Sequence, residues 1–193
     1  NEVLHGGSNI PVGIKENSIR NLVREVHDIV SNSINNVTKD NRVTTMVFWQ
    51  SPPLGFIKIN TDGVSRGNPG DAACSSIMRD EKGKWLGGSA HKLGFCSSFK
   101  AELWGVLHGF QLAWSAGYRK IIIESDSSCV ITVLTNHSGA VRENQIISRI
   151  RTWMKKDWVV SLSYSYREGN ACADWLANHI LDRDDHNSYM FWQ

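Results

Sequence analysis

Asp62, Glu102, Asp126 and Asp174 stand where apolar, element-forming segments give way to turns, and together they are the side chains of this sequence best suited to chemistry. Asp62 closes the β-rich run 56–61 and precedes Gly63 and the turn residues Arg66-Gly67-Asn68-Pro69-Gly70, which predicts a strand with Asp62 at its exit. Asp126 ends a second β-rich run, 121–125, and Ser127 then offers a cap for a helix. Open α/β sheets place ligands at such carboxyl ends of strands. Glu102 and Asp174 lie near the starts of two helical patterns, 98–114 and 170–181. Carboxylates gathered in one place repel one another unless cations neutralise them, and an all-oxygen donor set suits magnesium or manganese. Taken singly, each acid also has a purely structural explanation: an Asp before Gly makes a good turn, acids in first helical turns favour the macrodipole, and Asp126 can cap a helix.

The elements that must position these acids can be read from periodicity. From residue 54 the order is strand, turn, strand, strand, helix, strand, helix, helix, strand, helix. Segments 72–78 and 85–90 flank the turn Asp80-Glu81-Lys82-Gly83, so the first three strands form an antiparallel meander. Leu103, Val106, Leu107, Phe110 and Trp114 recur along one helical stripe, with Gly117 as the stop. The strand at 121–124 then follows a helical crossover and is parallel to the first. Ile146, Ile150 and Trp153 predict a further helix before the strand at 159–164. The class is α/β with a mixed sheet. Upstream, Ile19, Leu22, Val23, Val26, Val30 and Ile34 predict one amphipathic helix, and Ser51-Pro52-Pro53 ends a linker. The expected organisation is an N-terminal extension over 1–50, a catalytic-type domain over 51–181 and a polar tail over 182–193.

The chain has 193 residues, 41% hydrophobic with eight Trp, enough to bury the core of one ordinary domain plus an extension. Its net charge is only +2, but residues 51–180 carry fifteen basic and eleven acidic side chains. A mildly basic domain with a local acidic pocket fits a polyanionic substrate held through metal. Cys74, Cys96, Cys129 and Cys172 show no zinc-ligand or redox spacing and read as reduced thiols. No apolar run approaches the roughly 20 residues that cross a bilayer, so no membrane partner is expected and the setting is intracellular, nuclear or cytoplasmic. The chain opens on Asn rather than Met, which fits a piece of a polyprotein or a small gene product with a leader.

The combination of Asn60-Thr61-Asp62-Gly63, Gly67-Asn68-Pro69-Gly70, Lys100-Ala101-Glu102-Leu103, Glu124-Ser125-Asp126-Ser127 and Arg167-Glu168-Gly169-Asn170-Ala171-Cys172-Ala173-Asp174-Trp175-Leu176-Ala177 resembles ribonuclease H over about residues 49–180. It is most similar to the branch found in plant retrotransposons and their domesticated relatives. The resemblance implies a five-stranded mixed sheet, an antiparallel three-strand meander plus two parallel strands, flanked by helices. It implies hydrolysis of the RNA strand of RNA–DNA hybrids with two magnesium ions, for which manganese can substitute. Asp62 would be shared by both ions, Glu102 and Asp126 would ligate one, and Asp174 the other. Such an ion pair activates water and stabilises the leaving 3′ oxygen, giving a 5′-phosphate.

By the same resemblance, the backbone at Gly67, Asn68 and Gly70 approaches the minor groove, where 2′-hydroxyls distinguish RNA from DNA. Ser97, Ser98 and Asn170 are the corresponding phosphate or sugar contacts, although Ser97 or Ser98 also suits a helix cap. Arg142, Arg149 and Lys156, with Arg151 and Lys155, form either a solvated helix face or a phosphate-binding handle. Trp104, Trp114, Trp153 and Trp175 fall in helix patterns and read as core, and His108 as an ordinary helix-face residue.

Two departures bear on turnover. Many active members carry a His in the loop before the final Asp, but no His lies between His137 and His179. Where plant relatives often have a His at the end of the last strand, this chain has Tyr164, whose reference pKa of about 10 makes it no substitute for imidazole. Turnover is therefore expected to be slow. The alternative is a domesticated nucleic-acid-binding module with weak catalysis. A transposase or 3′→5′ exonuclease on the same general fold fits less well, because exonucleases carry a second acid two residues after the first, and Val64 stands there.

Overall fold

The computed structural model describes residues 47–136 and 145–183 in full and residues 189–192 as backbone. The helix expected over 19–34 and Arg142 lie outside the described residues. The elements run β1 (Ile57–Gly67), β2 (Gly70–Arg79), β3 (Trp85–Cys96), α1 (Ser98–Ser115), β4 (Lys120–Ser125), α2 (Ser128–Thr135), α3 (Gln145–Met154), β5 (Val159–Tyr164), α4 (Arg167–Asp182) and β6 (Tyr189–Trp192).

The sheet order is β5-β4-β1-β2-β3-β6. β1 pairs antiparallel with β2, which pairs antiparallel with β3, while β1, β4 and β5 are mutually parallel neighbours. The expected five-stranded mixed sheet is therefore present. To it the chain adds β6, which pairs antiparallel with 87–90 of β3 and covers an otherwise open strand edge. The segment read as a polar tail thus contains a strand, built from the apolar run Tyr189-Met190-Phe191-Trp192.

β1 is the hub, and the residues of β2 opposite it fasten one helix to each face. Ser75 Oγ donates to the Ala173 carbonyl of α4 at 2.7 Å, and its neighbour Ser76 donates to the Gly105 carbonyl of α1 at 3.0 Å. Successive residues of a strand point to opposite faces, so adjacent serines serve helices above and below the sheet. Under α1 lies the main core, where Ile59, Leu103, Val106, Leu107, Phe110, Ile121, Ile123, Val130, Leu134 and Ile150 are fully buried. Truncating Phe110 to Ala in such a core costs about 3–5 kcal/mol.

On the face of β1 opposite the α1 core, Asn60 is covered by residues 47–53, expected to end a linker. Trp49 Nε1 donates to Asn60 Oδ1 at 2.9 Å, and the Arg79 guanidinium lies 4.0 Å from the Trp49 ring centroid. Beneath them Glu124 accepts from Lys58 Nζ at 2.9 Å and from Asn60 Nδ2 at 3.0 Å, so its buried charge is paired.

Trp104, Trp153 and Trp158 pack at the core boundary, and Trp175 packs in a smaller cluster under α4 with Leu176 and Ile180. Trp114 meets the rings of Trp153 and Trp158 edge-on, at 5.9 and 5.1 Å. All four cysteines are free thiols. No helix of the described residues is long and apolar enough to cross a membrane.

Candidate metal centre

The close packing of α1 on β1 begins at Gly63, where a β-carbon would fall 2.1 Å from the Glu102 backbone nitrogen. At Gly105 and Gly109 the same helix again presents no side chain, and a β-carbon there would meet the Asp62 carbonyl at 2.8 Å and Ile59 Cγ2 at 3.1 Å. With that stripe bare, the helix lies directly on the strand and brings Glu102 beside Asp62.

Asp62 does not end its strand, as the sequence led us to expect; β1 continues to Gly67 because its far half pairs with β2 in a hairpin. What ends there is the parallel partner. The last β1–β4 pair is Thr61 with Ser125, so Asp62 is the first residue beyond the carboxyl end of β4, and Asp126 leaves β4 at that point. Ser127 caps α2 as expected, accepting from the Val130 N–H at 3.4 Å.

Carboxylate oxygens of Asp62, Glu102 and Asp126 all lie within 4.8 Å of one another. Asp62 is buried, only 4% exposed. Burial first, then the charges of Asp126 and Asp174, push its carboxyl up to about 8, opposed by Arg167. Glu102 is driven well above the usual carboxylate range by burial and by Asp62 and Asp126, with Ser125 and the Gly63 N–H supporting its ionised form. Asp126 is raised chiefly by burial. The converging hard oxygens and their mutual repulsion are what a divalent cation fits.

Asp174 stands apart from this triad. α4 begins at Arg167 rather than at Asn170, so Asp174 lies two turns into the helix and not near its start. The chain enters at Tyr166 in extended conformation, and Arg167 and Glu168 already occupy the first turn. The Asp174 carboxylate accepts from Arg167 Nη2 at 2.5 Å. Its charge nevertheless raises both Asp62 and Asp126, so it faces the triad electrostatically. The macrodipole explanation fails for Asp174, and Glu102 likewise lies beyond the first turn of α1.

Of the expected nucleic-acid contacts, Gly67, Asn68 and Gly70 form the tip of the β1–β2 hairpin. Gly67 has φ +87°, and a β-carbon on Gly70 would fall 1.8 Å from the Arg66 carbonyl oxygen, so the turn itself requires both glycines. Asn68 Oδ1 accepts from the Ser98 N–H at 3.1 Å, which ties this tip to the start of α1. Ser97 is the N-cap of α1, accepting from the Lys100 N–H at 3.3 Å. Asn170 is fully buried, and its amide donates to the Thr61 carbonyl at 3.0 Å and to Asp126 Oδ1 at 3.4 Å. It is placed to orient Asp126 rather than to meet a phosphate, and its Oδ1 has no partner among the described residues.

Three residues of the site stood in the sequence motifs without a role of their own. Gly63 was read as a turn signal and a motif member. Ser125 Oγ donates to Glu102 at 3.4 Å and accepts from the Ser127 N–H at 3.1 Å, linking two carboxylate-bearing segments. Arg167 carried a usable signal, its spacing of seven from Asp174, which puts both on one helix face. Tyr164, at the end of β5, is 45% exposed and packs edge-on against Tyr166 at 5.6 Å.

A mixed sheet of this order, with carboxylates gathered at the end of its parallel pair, defines a ribonuclease H-fold domain. The profile of the reverse transcriptase-like family matches residues 60–180, and the chain belongs to that family within the ribonuclease H proteins. A protein of Arabidopsis thaliana named for ribonuclease H is 40% identical over 141 residues, covering 72% of this chain but 23% of its own length. Ribonuclease HI of Halobacterium salinarum is 29% identical over 132 residues, covering 66% of this chain and 65% of that protein. The chain thus spans about a quarter of the first relative and about two thirds of the second. The crystal structure of ribonuclease H1 from Halobacterium salinarum superposes with TM-score 0.61 at 28% identity, covering 66% of this chain and 98% of that one. LC11 ribonuclease H1 in complex with an RNA/DNA hybrid superposes with TM-score 0.60 at 26% identity, covering 65% of this chain and 96% of that one.

Proposed function

We propose that this domain is an endonuclease that hydrolyses the RNA strand of RNA–DNA hybrids with two magnesium ions, manganese substituting. The observation that carries the reading is the convergence of Asp62, Glu102 and Asp126 to within 4.8 Å on a family-matching framework. When bound, the ions would supply Lewis-acid activation of water and charge neutralisation at the leaving 3′ oxygen. Asp62, Glu102 and Asp126 would hold one ion, and Asp62 with Asp174 the other. Ser125 and the Gly63 N–H steady Glu102, and Asn170 steadies Asp126. The hairpin tip, fixed to α1 through Asn68 and Ser98, offers the exposed backbone of Gly67, Asn68 and Pro69 to a minor groove, with Gly70 buried behind it. Product strands would carry 5′-phosphates. An intracellular setting, nuclear or cytoplasmic, belongs to the same proposal, as does a retrotransposon origin.

A weakly catalytic hybrid-binding module is the second reading. Two observations favour it: the absence of His between His137 and His179, and the hold of Arg167 on Asp174. A 5′-labelled RNA strand annealed to DNA, incubated with magnesium and the full chain, separates the two. Internal cleavage that is lost in Asp62→Asn supports the nuclease. Hybrid binding with no product above that control supports the module.

A further inference from the structure

Arg167 and Asp174 lie seven residues apart on α4, so two helical turns bring their side chains onto one face. The guanidinium side chain is 72% exposed, yet its Nη2 sits 2.5 Å from Asp174 Oδ1, whose side chain is 26% exposed. The contact is a charge-assisted hydrogen bond between guanidinium and carboxylate. The same guanidinium acts electrostatically on Asp62 and Asp126 and opposes their charge.

We propose that Arg167 is an internal counter-ion that holds Asp174 until a second dication displaces it, which makes the two metal positions of this site unequal. This rests on the nuclease reading above. The Asp62–Glu102–Asp126 position has three converging donors and, among the described residues, no cationic side chain in an ion pair with them, so it fills first. The Asp174 position fills only when the guanidinium swings out, which its exposure permits without disturbing the core. An uncharged residue at 167 would free Asp174 and bring the second position closer to the first.

Calorimetric titration of manganese chloride into the full chain, with the bound fraction counted by electron paramagnetic resonance, tests this without an activity assay. Wild type is expected to bind one ion tightly and one more weakly. Arg167→Gln should tighten the weaker event by about five-fold, the upper range for a partly exposed ion pair, and the tighter event by less than about two-fold. Arg167→Lys, which keeps the charge but loses the planar fork, should fall between the two. A weaker event that is unchanged or weakened in Arg167→Gln overturns the counter-ion role while leaving the metal site standing. Equal tightening of both events also overturns it, since that is a general field effect. No manganese bound by any form overturns this proposal and the nuclease reading together.

Discussion

The backbone nitrogen of Glu102 rests on the bare α-carbon of Gly63: a β-carbon there would lie 2.1 Å from it and 2.3 Å from the Ala101 carbonyl carbon. Both obstacles are backbone, so no rotamer change relieves them, and α1 would have to lift off β1. Gly63→Ala is therefore expected to cost at least about 2 kcal/mol of stability, as overpacking does. It should also weaken metal binding by separating Glu102 from Asp62. Urea unfolding checks the first effect; a midpoint equal to wild type would show that the contact is slack.

Burial and neighbouring charge lift the Asp62 carboxyl from 3.8 to about 8, with a definite consequence for the metal-free protein. Between those values the folded state binds a proton that the unfolded state has released, so the contribution of this carboxyl to stability falls as pH rises from about 4 to about 8. Glu102 and Asp126 are raised too and act in the same direction. In EDTA, Asp62→Asn should be more stable than wild type at pH 8 by at least about 1 kcal/mol and should show less decline across that window. Magnesium should recover the loss in wild type and not in the variant. Parallel pH profiles for the two proteins would contradict this.

Among these elements, the meander, the crossover and the cap at Ser127 were legible because each depends on local chemistry: a period of two, a period near 3.6, a serine before a helix. Asp62 was found as an acid but misplaced as a strand end, because the length of β1 is set by its partner β2, 13 residues away at the Asp62–Ser75 pair. The early start of α4 and the strand β6 were hidden for the same reason. One depends on how the chain leaves β5, the other on a free edge of β3 that periodicity does not report. Asn170 illustrates the limit at the level of a side chain. Its motif marked it as part of the site, but only packing shows that its amide turns inward toward Thr61 and Asp126.

His108 proved more than a helix-face residue. Its ring stacks on His91 with centroids 3.8 Å apart, and Trp104 also stacks with it at 5.5 Å. Burial, then the neighbouring imidazole, lowers His91 from 6.5 to about 4, and burial lowers His108 as well. Below pH 6.5 these imidazoles take up protons in the unfolded chain that they refuse in the folded one, so their contribution to stability falls as pH drops toward about 4, opposite in sign to that of Asp62. His91→Phe keeps a ring in the stack and should lose about 1 kcal/mol less than wild type between pH 7 and pH 4.5. Equal losses would show that the pair does not govern acid stability.

The basic residues around α3 divide into two kinds. Arg151 Nη2 donates to the carbonyls of Val133 at 3.1 Å and Asn136 at 3.0 Å and so braces α2. Lys156 rides on the rings of Trp153 and Trp114 at 3.9 and 4.4 Å, and Arg149 lies 5.6 Å from Trp104, leaving these charges on half-buried aromatic platforms. If they meet phosphates, replacing Arg149, Lys155 and Lys156 with Gln should flatten the plot of log affinity for hybrid against log salt by about 1 to 3 units of slope. Arg151→Gln should lower stability instead. An unchanged slope would return the patch to a solvated face.

The most direct measurement is anomalous scattering from crystals of this protein grown with manganese. Peaks are expected at coordination distance, about 2.0 to 2.3 Å, from oxygens of Asp62, Glu102 and Asp126, with a second, less occupied peak beside Asp174. Manganese bound elsewhere while these three carboxylates stay bare, or turn away from one another, would contradict the metal centre and the nuclease built on it.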